Sequence, residues 1–277
     1  MKARIFVSLL TTIFTYSIGH AQSHSGTVEN IKTNILIGDI SRQPTQGIIV
    51  PQFKEGISEG GVGGAIFRAG GEDAMVAAQK MMDNNPDLKN FGRAFVTTSP
   101  KMKKSLINVV TVGSGVDNEF SVVKAAVFNG LVAAQKSGIT SVSIPALGTG
   151  IIGQLSNEQS AKAILSGIAE FKQKGGTMSE INVVIYGDRA QHSDFVKVLD
   201  KKSYAGSTAS SGQRVIDGAR WVSGMTNQGT DIDKTVGQGR IDAENVAAME
   251  VKSTSAPPKG FWQKTFGRLS KGLRGSR

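Results

Sequence analysis

Between Ile31 and Leu199, short apolar runs alternate with amphipathic stretches of helical period, and this alternation leaves few architectures open. Strands are expected over Ile31–Ile40, Gly47–Val50, Ala94–Thr98, Leu106–Val112, Ser141–Pro145 and Ile181–Tyr186. Helices are expected over Val62–Met82, Ser121–Lys136, Asn157–Gln173 and Ser193–Leu199. In the two long helices Val123, Ala126, Val127, Gly130, Leu131 and Ala134 share one face, as do Ala161, Ile164, Leu165, Ile168 and Phe171. Near-continuous apolar strands between amphipathic helices suit a sheet buried on both faces. The expected class is therefore α/β, with a mostly parallel sheet covered on both sides. In such folds ligands sit beyond the carboxyl ends of the strands.

Two glycine loops fall at such ends. Glu59-Gly60-Gly61-Val62-Gly63-Gly64-Ala65 runs straight into a helix, and Pro145-Ala146-Leu147-Gly148-Thr149-Gly150-Ile151-Ile152-Gly153 lies between a strand and a helix. Glycine lets backbone N–H groups close on a phosphate, and a helix amino end favours the anion. Two facing loops of this kind can clamp a diphosphate. Neither carries the Gly-Lys-Ser/Thr of a nucleotide-triphosphate loop, and neither is a clean Gly-x-Gly-x-x-Gly fingerprint with an acid about 20 residues on. Each loop taken alone is equally compatible with a tight turn.

Composition excludes several chemistries. The chain of 277 residues has no Cys, so disulfide scaffolds, thiolate metal sites and a Cys nucleophile are ruled out. Its three His residues (His20, His24 and His192) are too few and too scattered to suggest a His metal cluster or a Ser-His-Asp triad. No metal and no cofactor are expected. The net charge is +10, but Lys259, Lys264, Arg268, Lys271, Arg274 and Arg277 supply six of the basic residues with no acid among them. The rest of the chain is only mildly basic, so a nucleic-acid surface spread over the whole domain is not indicated.

The ends of the chain differ from its centre. Residues 1–21 read as a signal peptide: Lys2 and Arg4 precede an apolar stretch, and Gly19-His20-Ala21 supplies small residues for cleavage before Gln22. Export, to the periplasm or outside the cell, is the expectation. A central domain over 27–200 is followed by a low-structure linker over 201–258, opening with the small and polar Ser203–Gly212. Residues 259–277 form a basic tail in which Trp262, Phe266, Leu269 and Leu273 share a helical face, a pattern suited to an anionic membrane or a partner groove as well as to a solvated end.

The order of these motifs resembles a macro domain, the ADP-ribose-binding module. Ile37-Gly38-Asp39-Ile40 is similar to the family's Gly-Asp-Ile, Gly60-Gly61-Val62-x-Gly64-Ala65-Ile66 to its first phosphate loop, Val110-Thr111-Val112-Gly113 to its central strand end, and Pro145–Gly153 to its second phosphate loop. The resemblance implies a three-layer α/β/α sandwich around a mixed, mostly parallel sheet. It also implies a ligand site built from Asp39, Ile40, Gly60, Gly61, Val62, Gly63, Gly148, Thr149, Gly150, Ile151, Ile152 and Tyr186. In that site Asp39 accepts from the adenine amino group with the Ile40 backbone beside it. Tyr186 stacks on the base, and the glycine loops donate to the diphosphate.

The departures from the family are as informative. Where hydrolytic members carry Asn-Ala-Ala-Asn, this chain reads Val50-Pro51-Gln52-Phe53, and Phe53 takes the place of the functional Asn. Gly63 stands where those enzymes have Asp, Phe67 where a His often follows, and Ile152 where an aromatic shields the distal ribose. No residue is thereby assigned to catalysis. Glu55, Glu59 and His192 are unplaced candidates to activate water, and the expectation for each is solvated surface. The local pattern is closer to the binding-type macro module of the macro-type histone variant. The resemblance implies binding of ADP-ribose or ADP-ribosylated protein, without hydrolysis, by a monomer. Two alternatives stay open: a mono-ADP-ribosyl hydrolase with non-standard residues, and a degenerate scaffold that associates with membrane or RNA through its tail.

Overall fold

The computed structural model describes residues 22–113, 115–116, 118–150 and 153–205. The signal-peptide segment, almost all of the linker, the basic tail, and Ile151 and Ile152 lie outside the described residues.

Seven strands form one sheet: β1 (Ser23–Val28), β2 (Ile31–Ile37), β3 (Gly47–Phe53), β4 (Ala94–Ser99), β5 (Lys104–Val112), β6 (Ser141–Pro145) and β7 (Glu180–Ile185). Their spatial order is β1-β2-β7-β6-β3-β5-β4. The five inner strands run parallel, and β1 and β4 close the two edges antiparallel. Helices α1 (Gly61–Arg68) and α2 (Glu72–Asn84) cover one face, and α3 (Glu119–Lys136), α4 (Asn157–Gln173) and α5 (Arg189–Asp200) the other. The expected three-layer α/β/α sandwich around a mixed, mostly parallel sheet is what the chain forms.

The core follows from the periodicity. Val123, Ala126, Val127, Leu131 and Ala134 of α3 and Ala161, Ile164, Leu165, Ile168 and Phe171 of α4 are buried in one apolar cluster against Ile49, Ile107, Val109, Ile144 and Val183 of the sheet. On the opposite face Ile40, Ile48, Val50, Leu106 and Val184 meet Ile66 of α1 and Ala74 and Met75 of α2. The α3–α4 contact is close enough that a methyl group on Gly167 would lie 2.7 Å from the Lys124 carbonyl oxygen and 2.9 Å from Val127 Cβ.

The structure differs from the sequence reading at identifiable places. The single helix expected over Val62–Met82 is two. Gly70, at φ +92°, and Gly71 end α1 by donating to the carbonyls of Phe67 and Ile66, a paired closure that only a residue comfortable in the left-handed region makes readily. The strand expected to reach Ile40 stops at Ile37, because Asp39 caps a 3-10 turn over Ile40–Arg42. Strand β1 was not anticipated. It precedes the Thr27 boundary and reaches β2 through a two-residue turn in which Glu29 and Asn30 both have positive φ, 48° and 70°. At the other end the packed unit passes Asp200. Tyr204 is buried, and its carbonyl accepts a 3.0 Å bond from Ser166 Oγ of α4. Residues 201–205 therefore belong with the domain and not with the linker. Among the described residues no helix is long and apolar enough to cross a membrane.

Replacing Gly167 with Ala should overpack the α3–α4 seam. A loss of about 1–3 kcal/mol is expected, read as a lower urea midpoint with an unchanged slope.

Candidate functional site

All five parallel strands end on the same edge of the sheet, and the segments that leave them carry the described members of the candidate ligand site. Asp39 and Ile40 follow β2, Tyr186 follows β7, Gly148–Gly150 follow β6, and Gly60–Gly63 follow β3. The spatial order β2-β7-β6-β3-β5 therefore sets these groups out in a line, Asp39 and Tyr186 at one end and the two glycine loops further on. Chain connectivity reverses between β6 and β3, the switch point at which parallel sheets open a crevice. Pairing across that point is limited to Gly47↔Val142 and Ile48↔Ser143, although β3 runs on to Phe53 and β6 to Pro145. The two strands thus separate towards the edge that carries both loops.

At the β2 end, Asp39 is part of a turn and half-exposed. Its Oδ1 accepts from Ser41 N at 2.9 Å and Ser41 Oγ at 2.7 Å, while Oδ2 has only Arg42 Nε at 3.7 Å. One carboxylate oxygen is therefore committed to the fold and the other can take a further donor. The Ile40 side chain is buried in the core, so Ile40 offers only backbone groups to a ligand. Tyr186 is 85% exposed on the neighbouring strand end, and Gly38 N donates to Ile185 O at 2.9 Å beside it. A tyrosine standing that far out of the surface gains nothing from the core.

The first loop is fastened from below. Gln52, fully buried on β3, accepts from Ser58 N at 2.7 Å and donates to Asn108 Oδ1 at 2.7 Å; Asn108 in turn donates to Thr97 Oγ1 at 3.0 Å. Gln79 of α2 accepts from Ile57 N at 3.0 Å. The loop ends at α1, whose N-cap is Gly60. Of the described helices α1 alone has neither a capping side chain nor an acid in its first turn. Its first N–H groups (Gly61, Val62 and Gly63) have no acceptor within the helix, and the positive end of its dipole is uncompensated.

The second loop is similarly braced. Thr149 Oγ1 donates to Ala146 O at 2.9 Å and accepts from Gln191 Nε2 at 2.9 Å, and Ser160 Oγ donates to Leu147 O at 2.6 Å. Glu119, in the first turn of α3, accepts from Gln154 N at 2.6 Å. Burial pushes the Glu119 carboxyl up, partly offset by that N–H, and burial likewise raises Glu59, which precedes Gly60.

The loop glycines fall into two groups. A Cβ on Gly63 would lie 1.6 Å from Ser58 O, and one on Gly153 would lie 2.1 Å from Gly148 O, so the backbone itself excludes side chains there. Gly61 and Gly148 have φ of +49° and +80°, where a side chain is strained. Gly60 and Gly150 have neither restriction: a Cβ on either would meet nothing within 4 Å. The fold does not require glycine at these two exposed positions, but a ligand approaching the backbone would.

Several residues stand differently from expectation. His192 is buried, not solvated: it is 3% exposed on α5, with Nε2 3.2 Å from Ile35 O, away from the loops. Glu59 is half-buried, whereas Glu55 is exposed. Phe53 ends β3 opposite Val112, and Phe67 packs on the α1–α2 core. Gln52, Glu119 and Gln191 were missed. Gln52 carried a signal, as a polar residue inside an apolar strand. Glu119 reads from sequence as an ordinary acid at a helix start. Among the described residues no cluster of three His, Asp or Glu could hold a metal.

Comparison with known proteins decides the family. A family model described as the Macro domain matches residues 53–164. An uncharacterized protein of Sulfolobus acidocaldarius is 30% identical over 168 residues, covering 60% of this chain and 90% of that protein. The chain belongs to the macro domain family. A similar macro domain protein, the O-acetyl-ADP-ribose deacetylase of Escherichia fergusonii, is 27% identical over 161 residues, 57% of this chain and 89% of that one. An uncharacterized Thermotoga maritima protein is 32% identical over 126 residues, of which this chain spans 21% of the length. In three dimensions the macro domain of Oceanobacillus iheyensis, solved with ADP, superimposes with a TM-score of 0.57 at 23% identity, over 66% of this chain and 98% of that one.

The two kinds of glycine in this macro domain give a direct test. Gly63→Ala should cost at least about 1–3 kcal/mol by forcing Ser58 and the loop away from α1. Gly60→Ala should stay within about 0.5 kcal/mol. Urea midpoints of the two variants check this, and equal losses would remove the distinction.

Proposed function

We propose that this macro domain binds ADP-ribose, free or attached to protein, and does not hydrolyse it. The observation that carries the reading is the pair of glycines, Gly60 and Gly150, that the fold does not require and that open on the same edge. They favour a ligand that presses a phosphate against the backbone of each loop. The uncapped α1 amino end supplies donors and a favourable field for one phosphate. The backbone of Thr149 and Gly150 serves the other, while the Thr149 side chain is occupied in bracing its own loop. Asp39 Oδ2 is open to an adenine amino group, and the exposed Tyr186 ring offers a face to the base. From β2 to β5 the edge spans about 19 Å, four strand spacings of about 4.8 Å. That accommodates a base, a diphosphate and two riboses laid end to end.

The second reading is hydrolysis, favoured by the relatives named O-acetyl-ADP-ribose deacetylase. Among the described residues, the two positions where hydrolytic members carry polar groups offer none to orient or activate water. Phe53 is apolar, and Gly63 has no room for a side chain. The kinship with the histone-variant module proposed on Pro51 and Gly63 agrees with binding alone.

Calorimetry of the purified protein with ADP-ribose tests the reading, and a flat titration at millimolar ligand would sink it. Asp39→Ala should weaken binding by about 1.5–3 kcal/mol. Asp39→Asn, which keeps an oxygen for Ser41, separates that loss from the loss of the turn cap. Tyr186→Ala should cost about 1–2 kcal/mol through lost stacking. Gly150→Glu should abolish binding by placing a side chain and a charge in the phosphate position. Mono-ADP-ribosylated protein should release little ADP-ribose; efficient release by the wild type would establish the second reading instead.

A further inference from the structure

Among the described residues Glu119 is the one acid bonded to the backbone at the end of the second glycine loop. Its Oε2 accepts from Gln154 N at 2.6 Å. Its Oε1 lies 3.4 Å from where a Cβ on Gly148 would stand, so the carboxylate bonded to Gln154 also lies beside Gly148. Gly148 O in turn accepts from Leu155 N at 3.1 Å, and Gly150 O from Gly153 N at 2.8 Å. The carboxylate is thus the side-chain anchor on the α3 side of the loop, as Gln191 is on the α5 side through Thr149. An acid beside a loop meant for an anion is electrostatically costly unless it has a task. Burial without a cation at hand adds to that cost and is reflected in the raised carboxyl.

We propose that Glu119 is the positioning and charge-selecting residue of the second glycine loop. It fixes Gln154 beside Gly148, next to the N–H groups of Thr149 and Gly150 that the binding reading gives to the ligand. Its negative charge limits the phosphate charge the loop accepts. This rests on the binding reading above. In ADP-ribose both phosphates are diesters and carry one charge each, whereas the terminal phosphate of ADP carries more. A carboxylate against the loop therefore selects for the diester. The two parts separate by substitution. Glu119→Gln keeps an oxygen for Gln154 N and removes the charge, while Glu119→Ala removes both.

The test combines amide NMR with calorimetry on wild type, Glu119→Gln and Glu119→Ala, with thermal unfolding to confirm that each variant is folded. In the absence of ligand, the Gln154 amide should exchange slowly in wild type and Glu119→Gln and lose protection in Glu119→Ala. Glu119→Ala should bind ADP-ribose about tenfold more weakly, the equivalent of one charge-assisted hydrogen bond. Glu119→Gln should tighten ADP several-fold and ADP-ribose by less, since the repulsion removed grows with the charge of the phosphate. Unchanged Gln154 protection in Glu119→Ala would overturn the positioning role. Equal effects of Glu119→Gln on ADP and ADP-ribose would overturn the selecting role. Failure of the wild type to bind ADP-ribose would overturn the binding reading and with it the selecting role, and the amide measurement would still decide the bracing on its own.

Discussion

Parallel pairing forces five strands to finish on one edge, and that constraint underlies everything the site does. An antiparallel sheet would send alternate strand ends to opposite edges and separate Asp39 from Tyr186. Here β2 and β7 lie side by side in register from Thr33↔Ile181 to Ile37↔Ile185, so the segments leaving them start level. The departure from pairing at the β3–β6 junction matters as much as the pairing itself. Two residue pairs are enough to keep the sheet continuous, and beyond them β3 pairs only with β5 and β6 only with β7, which lets the two strand ends part between the loops.

The loops themselves are not held by apolar packing, which at a sheet edge is scarce. They are held by buried or half-buried amides and hydroxyls that accept or donate one backbone bond each. Gln52 and Gln79 take the N–H groups of Ser58 and Ile57, and Ser160 bonds the Leu147 carbonyl. A buried Gln in a strand costs desolvation unless both ends of its amide are matched. The match here is complete, through Asn108 on one side and Ser58 on the other. The result is a backbone fixed before any ligand arrives, so binding need not order the loops at the moment of contact.

Much of the fold was legible because buried parallel strands and amphipathic helices leave strong periodic marks. Ser141–Pro145 and Asn157–Gln173 were bounded to the residue. What escaped detection was governed by backbone dihedrals or by distant partners. The Glu29-Asn30 turn carries none of the glycine that announces such hairpins, so β1 stayed hidden. Gly70 and Gly71 divide the expected helix through closing bonds to Phe67 and Ile66 that depend on the left-handed backbone of Gly70. Of the site, the glycine loops, Asp39 and Tyr186 were readable as motifs. The bracing residues were not, since nothing local in Glu119-Phe120-Ser121 points to a bond with Gln154, 35 positions on.

Gly63 is more than a position without a side chain. If the position merely lacked a carboxylate, a Cβ would find space there, as it does at Gly60. Instead the Ser58 carbonyl occupies that space, and the Glu59 carbonyl lies 2.6 Å from where a Cβ on Gly64 would stand. The preceding loop has settled onto the helix, and Gln52 holds it there through the very next bond, to Ser58 N. A carboxylate at residue 63 would therefore have to displace a braced backbone before it could reach water. The glycine at residue 63 and the closed space around it are one structural state, and Gly60 and Gly150 keep their open surface within it.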